Sequence, residues 1–171
     1  MKKDNVILIG MPASGKSTVG VLLAKVLGCG FIDTDLLIQR QEGCRLEETI
    51  RTKGLEEFLD IEGRVCAGLD VERTVIATGG SVVYRDWAME HLASLGTLVY
   101  LHVSLPELET RLSDMKGRGV ALREGQTLAD LYAERTVLYE RYADLTVYEA
   151  DRTLEETVAA AAEALGRRED R

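Results

Sequence analysis

The sequence is poor in cysteine and proline. Its three cysteines in 171 residues, Cys29, Cys44 and Cys66, are too few and too widely spaced for a disulfide framework or a tetrahedral metal site, so we expect reduced thiols. Two prolines and no low-complexity stretch leave no linker that would divide the chain. We therefore expect a single domain over residues 1–171.

Positive charge, aromatic residues and long apolar runs are also scarce. The chain has 21 Lys and Arg against 29 Asp and Glu, and its net charge of −8 opposes binding to a polyanion. Aromatic residues make up 5% of the chain and form no stacking platform, and no apolar run approaches the roughly 20 residues of a membrane-spanning helix. No secretion signal is recognisable. We expect a cytoplasmic monomer without nucleic-acid or membrane partners.

Short β-rich apolar runs alternate with amphipathic helical segments along the chain. This alternation is typical of βαβ units, in which helices cover both faces of a parallel sheet. We therefore predict a three-layer α/β fold with a five-stranded parallel sheet and a long helical region that follows the second strand and extends to about residue 72. The predicted strands are 6–9, 31–32, 74–77, 97–103 and 145–148.

A glycine-rich segment from Gly10 to Ser17 directly follows the first predicted strand. It matches the G-x-x-x-x-G-K-[ST] phosphate-binding loop at every fixed position. In such loops successive backbone N–H groups and the following helix N-terminus face the phosphates, the lysine reaches the β- and γ-phosphates, and the hydroxyl ligates Mg²⁺. We expect a nucleoside triphosphate to be held by Gly10, Ala13, Ser14, Gly15, Lys16, Ser17 and Thr18.

Two aspartates, Asp33 and Asp35, follow the second predicted strand. Ligands of α/β sheets bind outside the carboxyl ends of the strands, so both side chains should lie near the loop. A carboxylate there can support Mg²⁺ through water or orient and deprotonate an attacking hydroxyl. The alternative role is helix N-capping, which Asp also favours.

Together these features resemble the shikimate kinase family across nearly the whole chain. The resemblance is carried by the loop, Asp33-Thr34-Asp35, Thr78-Gly79-Gly80, Arg111, Arg118, and Glu134-Arg135 with Leu138-Tyr139. It implies a P-loop NTPase fold like that of nucleoside-monophosphate kinases, with a mobile lid at about 114–126 and acceptor-binding helices at about 35–62. The implied reaction is ATP- and Mg²⁺-dependent conversion of shikimate to shikimate 3-phosphate, a step of aromatic amino acid biosynthesis.

On the nucleotide side, the resemblance implies that Lys16 and the lid residue Arg118 stabilise the transferring phosphoryl group. Ser17 and Asp33 are implied to support Mg²⁺. Arg111 is implied to lie against the adenine, with Arg152 close to it.

On the acceptor side, Asp35 is implied to be catalytic, orienting and deprotonating the hydroxyl. Gly79 and Gly80 are implied to line the acceptor site. Arg135 is implied to bind the substrate carboxylate, a task that suits its forked guanidinium. We also place Glu62 in the predicted acceptor site.

Two positions depart from the family pattern. Leu59 replaces an arginine that shares the substrate carboxylate, and Ser81 replaces a third glycine. Removing one member of a buried charged hydrogen bond costs about 2–5 kcal/mol of binding. Two alternatives therefore stay open. The first is a kinase of this fold that acts on another small hydroxy acid, or on a hydroxy amino acid whose carboxylate contacts Arg135 and whose ammonium contacts Glu62. The second is a nucleotide-dependent binding module without kinase activity.

Overall fold

The structure is a computed structural model that describes residues 4–114, 120 and 122–169. Its strands are β1 Asn5–Ile9, β2 Gly30–Asp33, β3 Thr74–Ala77, β4 Gly96–His102 and β5 Leu145–Tyr148. They form one parallel sheet in the order β2-β3-β1-β4-β5. The predicted five-stranded parallel sheet is confirmed.

Helices cover both faces of this sheet. They are α1 Lys16–Leu27, α2 Thr34–Glu42, α3 Leu46–Lys53, α4 Leu55–Ala67, α5 Asp86–Leu95, α6 Leu105–Asp114, α7 Leu128–Tyr142 and α8 Leu154–Glu169, with a 3₁₀ turn at Val82–Tyr84. Among the residues described, no helix is long and apolar enough to cross a membrane.

The central strand β1 explains why the sheet has two apolar faces. Val6 and Leu8 join the cluster under α1 and α8, whereas Ile7 and Ile9 join the cluster under α5 and α7. Successive side chains of a strand point to opposite faces, so a strand covered on both sides needs an unbroken apolar run.

The long helical region expected to extend to about residue 72 consists of three helices, α2, α3 and α4. The first break falls at Gly43, with φ of 71°, and the second at Gly54, with φ of 84°. Residues with a side chain rarely adopt such φ values, so both glycines end the preceding helix. These breaks allow α2, α3 and α4 to fold back near the carboxyl end of β2.

Asn5 ties together the opposite, amino-terminal edge of the sheet. Its buried amide nitrogen donates to the carbonyls of Val71 at 2.7 Å and Leu95 at 3.0 Å. Its oxygen accepts from the Thr74 backbone N–H at 3.0 Å. This hub anchors the entry of β3 and the end of α5 to β1, far from the carboxyl edge.

Candidate active site

The phosphate-binding loop joins β1 to α1 at the carboxyl edge of the sheet. Lys16 is buried, and its Nζ donates to the carbonyls of Gly10 at 2.8 Å and Met11 at 2.7 Å and to Ser14 Oγ at 3.3 Å. Burial lowers the pKa of Lys16 to about 8, while the charge of Asp35 acts in the opposite direction. The predicted loop therefore holds a desolvated ammonium at its centre.

Asp33 connects this loop to α2. Its Oδ1 accepts from the Asp35 backbone N–H at 2.9 Å as the N-cap of α2, and its Oδ2 accepts from Ser17 Oγ at 2.6 Å. The capping role and the contact with the loop serine therefore coexist in one carboxylate.

The oxygen atoms of Ser17 and Asp33 fit Mg²⁺, a hard cation that prefers oxygen ligands and keeps several waters. Within the described part of the chain, no group of three or more His, Cys, Asp or Glu residues is arranged to hold a metal ion. Ser17 and Asp33 thus provide two oxygen atoms for a cation at this position.

A cavity of about 320 Å³ opens beside the loop. Its lining combines Lys16, Ser17 and Thr18 of α1 with side chains from α2, α4, α7 and the turn after β3. We call the part of this lining that faces the loop the polar wall; it consists of Asp35, Glu62, Ser81 and Arg135.

The glycines after β3 allow the polar wall to close tightly. A Cβ on Gly79 would overlap Glu62 Oε1 and lie 2.9 Å from Asp35 Oδ1. A Cβ on Gly80 would lie 2.8 Å from Pro12 Cδ and 3.1 Å from Arg135 Nη1. Only glycine therefore lets both carboxylates and the guanidinium approach the turn after β3 this closely.

Glu62 is the most deeply buried carboxylate of the polar wall, with 1% of its surface exposed. Ser81 Oγ donates to its Oε2 at 2.5 Å. Burial raises the pKa of Glu62 to about 7, the Ser81 hydrogen bond opposes that rise, and the charge of Asp35 adds to it. Ser81, which departs from the family pattern in sequence, thus contacts this carboxylate directly.

Arg135 is 1% exposed although it carries a full charge. Its guanidinium lies 5.1 Å from the centre of the Tyr84 ring, and its Nε donates to Tyr84 Oη at 3.3 Å. Tyr139 Oη donates to the Gly80 carbonyl at 2.5 Å. Sequence analysis did not assign either tyrosine to the site, because their roles depend on packing between distant segments.

Leu59 belongs to the apolar side of α4. It is 1% exposed and packs in a cluster with Ile38, Phe58 and Ile61. Helix α4 therefore contributes Glu62 to the cavity and no positive charge.

Arg111 is fixed at the back of the loop. Its Nη1 donates to the Ala13 carbonyl at 3.2 Å, its Nε to Glu107 at 2.9 Å and its Nη2 to Glu149 Oε2 at 3.0 Å. The Glu149 side chain is 8% exposed, and among the described residues its Oε1 has no hydrogen-bond partner. Sequence analysis missed Glu149, since a carboxylate after the last strand carries no motif.

The implied nucleotide site includes two further residues, Arg152 and Arg118. Arg152 is exposed and donates to the Tyr148 carbonyl at 2.6 Å in the turn before α8. Arg118 lies outside the described residues, as does much of the predicted lid at 114–126.

The chain is similar to known proteins over most of its length. The family profile described as shikimate kinase matches residues 12–166. A shikimate kinase of Gloeobacter violaceus is 39% identical over 153 residues, covering 86% of this chain and 84% of that protein. Human threonine synthase-like 1 is 35% identical over 146 residues, which are 84% of this chain and 20% of the human protein.

A solved structure extends the similarity to three dimensions. Shikimate kinase from Acinetobacter baumannii, in complex with shikimate, superposes with a TM-score of 0.89 and 28% sequence identity. The superposition covers 97% of this chain and 94% of that one. With the strand order, it confirms the expected P-loop fold like that of nucleoside-monophosphate kinases.

Proposed function

The chain belongs to the shikimate kinase family, and on that basis we propose that it transfers the γ-phosphoryl group of ATP to a hydroxyl of shikimate. The observation that carries this proposal is one cavity that joins the phosphate-binding loop to Asp35 and Arg135. A triphosphate on the loop and an acceptor on the polar wall would meet within that cavity. Such juxtaposition supplies much of the rate enhancement of a phosphoryl transfer.

Asp35 is the proposed general base. It accepts the proton of the acceptor hydroxyl as that oxygen bonds to the γ-phosphorus and the bond from phosphorus to the ADP oxygen breaks. Lys16 turns from the loop carbonyls toward the phosphates, where its ammonium offsets negative charge that spreads over the phosphoryl oxygens. Arg118 is proposed to add a second positive charge from the lid.

Arg135 is the proposed anchor of the shikimate carboxylate. Its burial and its contact with Tyr84 hold the guanidinium in place before substrate arrives. A fixed, desolvated guanidinium forms strong charge-assisted hydrogen bonds with a carboxylate.

Ser17 and Asp33 would hold Mg²⁺, directly or through water. When bound, this ion neutralises phosphate charge and favours departure of ADP. Ser17 and Asp33 already contact each other, so both oxygens need only small movements to share a cation.

The proposal is tested by measuring ADP formation with MgATP in the presence and absence of shikimate. We expect saturable stimulation by shikimate and loss of turnover in Lys16→Ala. Lys25→Ala, an exposed position on the same helix, is the matched control and should retain the wild-type rate. Wild-type turnover in a folded Lys16→Ala variant would refute the mechanism, and ATP binding without acceptor-stimulated turnover would instead indicate a binding module.

A further inference from the structure

The charges of the polar wall are unequal. Asp35 and Glu62 supply two carboxylates, and Arg135 supplies one guanidinium. The other charged groups of the cavity lining lie outside the polar wall. Lys16 and Asp33 adjoin the proposed phosphate and Mg²⁺ positions, and Arg45 and Glu47 are exposed and opposite in charge. When Glu62 is ionised, the side chains of the polar wall thus carry two negative charges and one positive charge.

Glu62 is placed to face a ligand. Glu62 Oε1 and Asp35 Oδ1 converge on the same face of Gly79, at the cavity surface. Ser81 donates to Oε2, the other oxygen of Glu62. Because this serine is neutral, it supplies a hydrogen bond to Glu62 without supplying a positive charge.

An acceptor that carries only a carboxylate leaves this imbalance in place and brings a further negative charge. An acceptor that also carries an ammonium places its carboxylate at the Arg135 guanidinium and its ammonium at the Glu62 carboxylate, and it adds no net charge. Buried charges are costly unless they are paired and hydrogen-bonded, so the second kind of acceptor fits the wall better.

We propose that the cavity also accepts a small hydroxy amino acid, with its ammonium at Glu62, its carboxylate at Arg135 and its hydroxyl at Asp35. This further activity rests on the phosphoryl transfer proposed above and adds a second class of acceptor. The hydroxyl oxygen bonds to the γ-phosphorus, its proton passes to Asp35, and the bond from phosphorus to the ADP oxygen breaks. The products are ADP and an O-phosphoamino acid.

The test compares each hydroxy amino acid with the same molecule lacking its amine. The pairs are L-homoserine and 4-hydroxybutanoate, L-serine and 3-hydroxypropanoate, and L-threonine and 3-hydroxybutanoate. With saturating MgATP, we expect kcat/KM in at least one pair to be at least about thirtyfold higher for the hydroxy amino acid than for the molecule without the amine. A factor of about thirty is the low end of the effect expected when one partner of a buried charge pair is removed.

Variants then show whether Glu62 is responsible. In Glu62→Gln the preference within the pair should fall close to one, since the amide keeps the shape but not the charge. Glu57→Gln, at an exposed position on the same helix, is the matched control and should keep the preference. An unchanged preference in folded Glu62→Gln would overturn the assignment of the ammonium site.

The two proposals fail differently. Turnover of shikimate with no turnover of any amino acid would overturn the further activity and leave the shikimate kinase proposal intact. Turnover of an amino acid with none of shikimate would support the further activity and refute shikimate as acceptor. Absence of turnover with every acceptor would refute both.

Discussion

Glu62 should make the stability of the fold depend on pH in a way that one substitution removes. Burial raises the pKa of this carboxyl from 4.5 to about 7 in the folded chain. A carboxyl with a raised folded-state pKa contributes stability that is fully present below its unfolded pKa and lost as pH rises through its folded pKa. The rise corresponds to about 3 kcal/mol, of which about 2 kcal/mol is lost between pH 5.5 and 8.5.

Glu62→Gln should abolish this loss, because the amide accepts the Ser81 hydrogen bond without ionising. The assay is urea unfolding of both proteins at pH 5.5 and 8.5, followed by circular dichroism. The free energy of unfolding of Glu62→Gln minus that of wild type should be about 2 kcal/mol larger at pH 8.5 than at pH 5.5. Glu57→Gln, exposed and on the same helix, should show no such rise. A difference between wild type and Glu62→Gln that does not vary with pH would refute the desolvated state of Glu62.

Two further predictions concern separate parts of the molecule. Asn5→Ala leaves two carbonyls and one N–H of the amino-terminal edge unpaired, so the free energy of unfolding should fall by about 2–4 kcal/mol in urea titrations, with KM for ATP unchanged. A neutral effect on stability would contradict the role of this hub. Glu149→Gln weakens a charge-assisted bond that holds Arg111 behind the loop, so KM for ATP should rise about fivefold with little change in kcat. Glu107 is the exposed second partner of Arg111, so Glu107→Gln should change KM for ATP less than twofold in the same assay. A larger effect than that of Glu149→Gln would contradict this reasoning.

Local patterns in the sequence predict much of the fold. The apolar run from Val6 to Ile9 and the run from Thr74 to Ala77 lie within strands, because covered parallel strands need continuous apolar residues. Asp33 and Asp35 fall beside the loop because strand ends meet at one edge of the sheet. The helix breaks at Gly43 and Gly54 were missed, since the surrounding residues favour helix on both sides.

The polar wall and the back of the loop depend on packing between segments that are distant in sequence. Ser81 meets Glu62 only because α4 packs against the turn after β3. Glu149 meets Arg111 only because β5 ends beside α6. No local pattern encodes either contact. The roles of the site residues, the lid, the monomeric state and the cytoplasmic location stay predictions.

We infer that one cavity transfers a phosphoryl group from ATP to an acceptor hydroxyl. Its most direct test is ³¹P NMR of a reaction that contains the protein, MgATP and shikimate. We expect a new phosphomonoester signal that grows in equal amount with ADP and is absent with Lys16→Ala. ADP accompanied only by inorganic phosphate, or no shikimate-dependent ADP at all, would contradict it.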